Sequence, residues 1–279
     1  MRELDEIAER AKLLRQDVLA MAVHAGGAHV SPAYSIIDLL AVLYGRHLRV
    51  SAETASDPDR DRLVLSKGHG CAALYAILAQ EGFIDRAELK TFCSIGSSLG
   101  GHPDVNKVNG VEASTGSLGH GFAMAVGMAL GAKLDNRNSS VVAILGDGEC
   151  QEGSIWESAM AATQLELDNL IVIVDANGLQ GMGDVEKINR LEPFLDKWKS
   201  FGWTVREIDG HDLGRIDDAV SEGYAATNGP FAIIARTTKG KGVSFMEGQA
   251  IWHYRLPNEE EMKQACDELD LQDIAAVLP

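Results

Sequence analysis

Residues 141–177 read VVAILGDGECQEGSIWESAMAATQLELDNLIVIVDAN, and this stretch decides the fold. Its two ends, residues 141–145 and 170–174, are apolar at every position, which is typical of strands that are covered on both faces. The segment between them, residues 152–165, has the length of a helix. A strand, a helix and a second strand in this order predict a βαβ unit with parallel strands and a right-handed crossover.

The same alternation continues on both sides of this unit. Two further strands are predicted at residues 204–208 and 231–235, and they are also interpreted as covered on both faces. Helices are predicted at residues 3–25, 34–46, 70–80, 118–134, 191–201 and 213–226, and in the acidic tail after Pro257. Residues 118–134 are rich in glycine and alanine, which fits either a core helix or a helix at a subunit interface. The fold class is therefore α/β, with a mainly parallel sheet flanked by helices.

The bulk composition argues against several classes of protein. The formal net charge of −16 disfavours nucleic acid or an anionic membrane surface as a partner. No apolar run is long enough to span a bilayer, and the charged start of the chain does not read as a secretory signal. The four cysteines lack the spacing of zinc ligands and are interpreted as free thiols in a reducing cytoplasm.

Polar residues follow directly on the two strands of the βαβ unit. Asp147 lies between Gly146 and Gly148 after the first strand, and Asn177 follows the second. Parallel strands place these positions on adjacent loops at the carboxyl edge of the sheet, where α/β folds bind ligands. A carboxylate and an amide oxygen form an incomplete oxygen set, which suits a magnesium ion that takes its remaining ligands from phosphates. The sequence thus predicts a magnesium and phosphate site.

Residues 146–180 also resemble the thiamine diphosphate motif, in which GDG is followed by a spacer and an asparagine. The transketolase version of the motif is the most similar. The resemblance implies a three-layer thiamine-diphosphate-binding fold and a magnesium ion, or calcium or manganese in its place. It also implies that Asp147, Asn177 and the carbonyl of Leu179 bind the metal, and that Gly148 contacts the diphosphate through its backbone.

Four histidines fall in further stretches that resemble transketolase. His29 lies in HAGGAHVSPAYS, His69 in SKGHG, His102 in GGHP and His253 in IWHYR. The resemblance runs in order from about residue 10 to residue 265 and implies that these four are catalytic and line the substrate channel. The positions that it assigns to the cofactor are Lys67, His69, Gly116, Leu118, Gly148, Asn177, Lys239 and His253.

Histidine suits the chemistry of this family. A two-carbon ketol unit passes from a ketose to an aldose through a thiamine diphosphate adduct, so hydroxyl protons are removed and returned near neutral pH. Imidazole has the pKa for that exchange and can also hydrogen-bond an array of sugar hydroxyls. Glu152 resembles the glutamate that links paired active sites across the subunit interface, and it completes the set of catalytic candidates.

Three stretches depart from the usual transketolase pattern, and all of them touch the substrate side. Residues 30–32 are Val-Ser-Pro, residues 181–183 are Gly-Met-Gly, and Tyr254 with Arg255 stands where Gly-Lys is more usual. These departures leave open which ketose and which aldose are the substrates.

The chain is predicted to be one domain, residues 1–279, that binds the diphosphate of the cofactor. A full-length transketolase also carries a pyrimidine-binding domain, which supplies the glutamate that activates the cofactor, and a C-terminal domain. The segment after Pro257 is expected to encode neither. The chain is therefore interpreted as the N-terminal subunit of a split transketolase, active only with a C-terminal subunit in an α2β2 heterotetramer.

Three alternatives remain open at this point. A subunit similar to 1-deoxyxylulose-5-phosphate synthase, or to another 2-oxo-acid thiamine enzyme, would share GDG and release carbon dioxide from pyruvate. A non-catalytic subunit would bind the cofactor and transfer nothing. A nucleotide-binding α/β domain would require a GxGxxG or P-loop stretch, which the sequence lacks. The ordered histidine stretches favour transketolase over all three.

Overall fold

The computed structural model describes residues 2–181 and 183–279. Its strands are β1 (Arg62–Leu65), β2 (Val141–Gly146), β3 (Leu170–Ala176), β4 (Leu179–Gln180), β5 (Gly183–Asp184), β6 (Thr204–Asp209) and β7 (Phe231–Arg236). Five of them form a parallel sheet in the order β1-β2-β3-β7-β6, whereas β4 and β5 form a small antiparallel hairpin. The predicted βαβ unit is confirmed, because β2 and β3 pair in parallel within the sheet.

The helices cover both faces of the sheet. They are α1 (Leu4–Ala25), α2 (Val30–Tyr34), α3 (Ile37–Val42), α4 (Cys71–Gln80), α5 (His120–Leu134), α6 (Gly153–Gln164), α7 (Val185–Ile188), α8 (Phe194–Ser200), α9 (Leu213–Ala225) and α10 (Glu259–Glu268). Among the residues that the structure describes, no helix combines the length and the apolar character needed to cross a membrane.

The sheet separates two apolar layers. Alternate side chains of a strand point to opposite faces, so Val142 and Ile144 of β2 join one cluster, whereas Val141 and Ala143 join the other. The first cluster includes residues of α1, α3, α4 and α9, and the second includes residues of α5, α6 and α8. Each large apolar side chain buried in these layers stabilises the fold by about 1.5–3 kcal/mol. The predicted α/β fold, with a parallel sheet between helices, is confirmed.

The strand at residues 204–208 was expected to be covered on both faces, and this expectation is wrong. β6 lies at the edge of the sheet, and most of its side chains are exposed. Arg206 and Glu207 provide the polar edge, and Ile208 is the one residue of β6 that is buried. At the opposite edge, the four residues of β1 form a strand that the sequence pattern did not predict.

The helix predicted at residues 34–46 is interrupted. α2 ends at Tyr34, α3 begins at Ile37, and a π-helical turn follows over Leu43–His47. The hydroxyl of Ser35, at this interruption, donates to Oδ2 of Asp175 at 2.7 Å, and its oxygen lies 3.0 Å from the carbonyl oxygen of Pro32. Serine side chains that bond outside the regular helical pattern favour such an interruption.

The glycine-rich helix begins at His120, after Gly119 in a left-handed conformation with φ 82°. Its inner side chains, such as Phe122 and Ala125, are fully buried in the second apolar layer. Its outer side carries exposed residues, among them Met124. The helix therefore has one core face and one exposed face of small and apolar residues.

Candidate active site

The ends of β2 and β3 bring Asp147 and Asn177 onto neighbouring loops. Gly146 and Asp175 are paired in the register of the two strands, and the amide of Asp147 donates to the carbonyl oxygen of Asp175 at 3.1 Å. The carboxylate of Asp147 in turn accepts hydrogen bonds from the amide of Gly148, at 2.7 Å, and from the amide of Gly178, at 2.6 Å. Asp147 thus links the two loops directly.

The side chain of Asn177 has a defined orientation. Its Nδ2 donates to Oδ2 of Asp175 at 3.0 Å, and its Oδ1 accepts from the amide of Leu179 at 3.0 Å. The carbonyl oxygen of Leu179 lies 3.3 Å from Nζ of Lys239. The carboxylate of Asp147, the amide oxygen of Asn177 and the carbonyl of Leu179 are therefore all oxygen donors in one small region.

These donors fit a divalent cation that needs further ligands from elsewhere. Asp147 is only 5% exposed, and its burial, together with the negative charge of Asp175, raises its pKa to about 6. The charge of Lys67 lowers this pKa only in part, and a cation bound beside the carboxylate would favour its charged form further. Across residues 2–181 and 183–279, no cluster of three or more His, Cys, Asp or Glu side chains could hold a metal alone. A set of only three protein oxygens suits a magnesium ion that takes its remaining ligands from phosphates.

A cavity of about 250 Å³ opens directly above this region. All the site residues predicted from the sequence line it, except His29 and Glu152. Its walls come from the loops after β1, β2, β3 and β7, from the loop before α5 and from the short helical turn Ala250–Tyr254. The cavity therefore collects residues that are far apart in the sequence.

Four histidine rings surround the mouth of the cavity. The ring centroid of His29 lies 5.6 Å from that of His69, 5.1 Å from that of His253 and 6.4 Å from that of His102. His29 is therefore the centre of the group, although it does not line the cavity itself.

Three of these imidazoles are neutral at pH 7. Burial, together with Lys67, lowers the pKa of His69 to about 2. Burial and the charge of Lys239 lower the pKa of His253 to about 3. Burial and His102 lower the pKa of His29 to about 4.

The two predicted lysines are held differently. Burial and the neighbouring Lys67 lower the pKa of Lys239 to about 8, and its Nζ lies 2.9 Å from Nδ1 of His253. Lys67 is 1% exposed and forms an ion pair with the fully buried Asp175. Its ammonium group also donates to the carbonyl oxygen of Pro32 at 2.9 Å. Lys67 therefore acts on the cavity through its charge, with its hydrogen bonds made inside the protein.

Close backbone packing shapes one wall of the cavity. A Cβ atom on Gly68 would lie 2.8 Å from the amide nitrogen of Gly116, which is too close for any side chain. Gly116 itself has φ 155°, and a Cβ there would lie 3.0 Å from Cδ2 of His102. The wall that carries Gly116 and Leu118 therefore requires glycine at positions 68 and 116.

Glu152 lies outside the cavity. It is exposed and directly precedes α6. A Cβ atom added at Gly119 would lie 2.9 Å from the Cβ atom of Glu152. The structure thus separates the exposed Glu152 from the histidine group.

Two further acidic residues at this site were not predicted from the sequence. Asp175 is fully buried beneath Asn177 and Lys67, and Glu149 lines the cavity two residues after Asp147. The one available signal for Asp175 is its charge at the end of an otherwise apolar strand. Met182, part of a stretch that departs from the usual pattern, lies outside the described residues.

The parallel sheet, the paired loops at its carboxyl edge and the histidine group define the thiamine-diphosphate-dependent class of α/β proteins. Within that class, residues 5–275 match the family model for "Transketolase, thiamine diphosphate binding domain", and the chain belongs to this family. This membership confirms the predicted family, the α/β fold, the assignment to transketolases and thiamine diphosphate as the cofactor.

The relatives include both separate subunits and longer enzymes. The chain is 42% identical to a 6-deoxy-6-sulfo-D-fructose transketolase subunit of a Clostridium species, over 95% of this chain and 96% of that protein. It is 40% identical to one of the subunits of the apulose-4-phosphate transketolase of Phocaeicola vulgatus, over 91% and 90% of the two chains. It is 36% identical to human transketolase over 96% of this chain, but over 42% of the human protein.

A solved structure gives the same relation. The crystal structure of transketolase from Campylobacter jejuni superposes with a TM-score of 0.91 at 33% identity. The match covers 97% of this chain and 43% of that one. The chain thus spans about two fifths of the length of these longer transketolases.

Proposed function

We propose that the chain is the diphosphate-binding subunit of a transketolase, which transfers a two-carbon ketol unit from a ketose to an aldose. One observation carries this proposal: four histidines converge on a cavity whose floor holds Asp147, Asn177 and Lys239. Neutral imidazoles suit the binding of sugar hydroxyls, and the oxygen donors below suit a metal and a diphosphate.

The floor of the cavity would hold the metal and the cofactor. Asp147, Asn177 and the carbonyl of Leu179 would bind magnesium, or calcium or manganese in its place, and the diphosphate would complete the coordination. Gly148 and Lys239 would contact the diphosphate, and the wall with Gly116 and Leu118 would meet the rings of the cofactor. Thiamine diphosphate, when bound, supplies a nucleophilic carbon and an electron sink for cleavage beside a carbonyl.

The histidines would handle substrate protons and hydroxyls. His29, His69, His102 and His253 offer donors and acceptors on every side of the mouth. The lowered pKa values of His29, His69 and His253 would rise when negative charge binds beside them, because an opposite charge favours the protonated imidazole. Rings that are neutral in the free chain would then exchange protons near neutral pH.

The activating glutamate would come from a second polypeptide. We propose that residues 1–279 form one domain and that a C-terminal subunit supplies a pyrimidine-binding domain. The support is that relatives of matching length are themselves named as subunits, whereas full transketolases are much longer. An α2β2 assembly would let the exposed Glu152 reach a neighbouring copy and link paired sites. The four free cysteines favour a cytoplasmic location.

The first prediction concerns turnover by the single chain. Without the second subunit, ketol transfer is expected to be roughly 10²–10⁴-fold slower than in the complex, because a general acid–base group is missing. The measurement is the rate of aldose consumption with a panel of ketoses in the presence of thiamine diphosphate and magnesium. It compares the chain alone with the chain mixed with its second subunit. Substantial transfer by the chain alone would overturn the need for a partner. Carbon dioxide release from pyruvate would instead support a 2-oxo-acid enzyme, and cofactor binding without any transfer would support a non-catalytic subunit.

The second prediction concerns substrate choice at Tyr254. Its ring lies 4.7 Å from His29, and the residue is 61% exposed at the mouth of the cavity. The neighbouring Arg255 is directed elsewhere, since it stacks on Trp252 at 4.1 Å and pairs with Glu261.

Replacing Tyr254 with glycine should raise KM for the preferred ketose by roughly three- to tenfold, the size of one aromatic contact, and leave the magnesium dependence unchanged. Tyr254→Phe separates the ring from its hydroxyl. Ile251→Ala, an exposed residue on the same turn, is the matched control. An unchanged KM for every ketose in Tyr254→Gly would exclude this residue from substrate recognition.

A further inference from the structure

Glu149 is a buried acid whose place in the site the sequence did not indicate. It lies in the short helical turn that follows Asp147 and is 2% exposed. Its Oε1 accepts hydrogen bonds from the hydroxyl of Ser66, at 2.5 Å, and from the amide of Gly119, at 2.9 Å. Its Oε2 accepts from the amide of Gly146 at 3.1 Å. Both oxygens of the carboxylate are therefore used.

Each of these three donors belongs to a different segment of the cavity wall. Ser66 directly precedes Lys67, Gly146 directly precedes Asp147, and Gly119 directly follows Leu118. We propose that Glu149 is a positioning residue, which fastens these three segments together and so sets the position of Asp147 for the metal and the diphosphate. This inference rests on the proposed function, since the metal is part of it.

The geometry requires an acceptor at both oxygens. The hydroxyl oxygen of Ser66 already accepts a hydrogen bond from the amide of Phe122 at 3.0 Å, so its own hydrogen points to Glu149. The two amides, of Gly119 and Gly146, can only donate. A carboxylate satisfies all three donors, whereas a glutamine of the same shape satisfies one side and presents an NH₂ group to the other.

The side that a glutamine would lose can be deduced. Oε1 serves two donors and Oε2 serves one, so the amide oxygen of a glutamine would take the side of Ser66 and Gly119. Its NH₂ group would then face the amide N–H of Gly146, the residue before Asp147. Glu149→Gln should therefore displace the loop that carries Gly146 and Asp147, with little change at the start of α5.

The start of α5 is held independently on its other side. The hydroxyl of Ser154 donates to the carbonyl oxygen of Gly119 at 3.2 Å, and a Cβ on Gly119 would lie 2.3 Å from that hydroxyl. Gly119 is thus hydrogen-bonded through its amide to Glu149 and through its carbonyl oxygen to Ser154. This second contact should keep the fold intact when the carboxylate is altered.

The test uses Glu149→Gln in the full chain with its second subunit, with Mg²⁺ and thiamine diphosphate as probes. The Mg²⁺ concentration for half-saturation of cofactor binding is expected to rise roughly tenfold, with an unchanged plateau, because the loop is displaced and not destroyed. Glu157→Gln, which removes the same charge from an exposed position on α6, is the matched control. A half-saturation point equal to that of the control would overturn the proposal.

A second measurement needs no cofactor. Hydrogen exchange of the Gly146 amide in the chain alone should accelerate by roughly tenfold in Glu149→Gln, with the Gly119 amide much less affected. If that variant fails to fold, Ser66→Ala tests the same contacts, and faster exchange at Phe122 and Gly119 is the supporting result. Unchanged exchange at these amides would refute the fastening role. Failure of the unaltered complex to bind thiamine diphosphate would instead refute the proposed function, while the exchange result still decides the role of Glu149.

Discussion

Asp147→Ala is expected to abolish magnesium-dependent binding of thiamine diphosphate while the fold remains intact. Loss of a residue that hydrogen-bonds a metal ligand typically costs about 10–100-fold in metal affinity, so loss of a direct carboxylate ligand should cost more than about 100-fold. The two other carboxylates at the site, of Asp175 and Glu149, already accept hydrogen bonds at both oxygens and are poorly placed to replace it.

The fold should tolerate this change for an electrostatic reason. A carboxyl whose pKa is raised on folding, here to about 6, destabilises the folded state increasingly as the pH rises from the ordinary aspartate pKa, and fully above about 6. Removing Asp147 relieves this cost and offsets the loss of its two hydrogen bonds from backbone amides. The free energy of unfolding at pH 7 without magnesium should therefore change by no more than about 1–2 kcal/mol.

The measurement is a magnesium titration of cofactor binding to the complex, combined with denaturant unfolding of the chain. Asp168→Ala is the matched control, since Asp168 is exposed near the opposite end of β3. Magnesium-dependent binding that persists unchanged in Asp147→Ala would show that the metal lies elsewhere. A large loss of stability without magnesium would contradict the electrostatic account.

The elements that the sequence predicted well are those with local signals. The strands at residues 141–145 and 170–174 are continuous apolar runs, and a parallel sheet necessarily brings their ends together. That topological rule alone placed Asp147 beside Asn177. β6 was misjudged because Arg206 and Glu207 mark an edge strand, and β1 was missed because four residues carry little periodicity.

The parts of the site that the sequence did not predict depend on contacts between distant residues. Glu149 contacts Ser66, 83 positions away, and Asp175 contacts Ser35, 140 positions away. Apart from the position of Asp175 at the end of an apolar strand, the local sequence does not distinguish these acids from the exposed acids that give the chain its charge. Likewise, the placement of Lys67 with its ammonium group turned inward follows from its pairing with Asp175, which becomes visible only in the folded chain.

Lys67→Met is expected to lower the free energy of unfolding by about 3–5 kcal/mol, the usual cost of removing one partner from a buried ion pair. Lys67 is 1% exposed and Asp175 is fully buried, so the remaining carboxylate would have no access to water. Three donors would remain to it, from Ser35, Asn177 and Thr237, but none of them carries a charge.

A double substitution separates the charge from the packing. In Lys67→Met with Asp175→Asn, both charges are gone, and much of the lost stability should return, since replacing both partners of a buried pair is often close to neutral. Lys187→Met is the matched control: it removes an exposed lysine paired with Asp184, and such surface pairs contribute little to stability. A double variant no more stable than Lys67→Met would show that packing, and not charge, accounts for the loss.

The pH dependence of this loss has a definite sign. Burial alone would raise the pKa of Asp175, but the charge and hydrogen bond of Lys67 outweigh it and hold the pKa below its ordinary value. In the natural chain this pair therefore adds stability above pH of about 4, and that stability is lost as the pH falls below the ordinary aspartate pKa. In Lys67→Met, only uncharged hydrogen-bond donors oppose the effect of burial. The carboxyl pKa therefore rises, and the carboxyl takes up a proton at higher pH. The difference in unfolding free energy between the unaltered chain and Lys67→Met should consequently shrink as the pH is lowered from 8 to 5. A difference that stays constant over this range would show that an unpaired charge is not its cause.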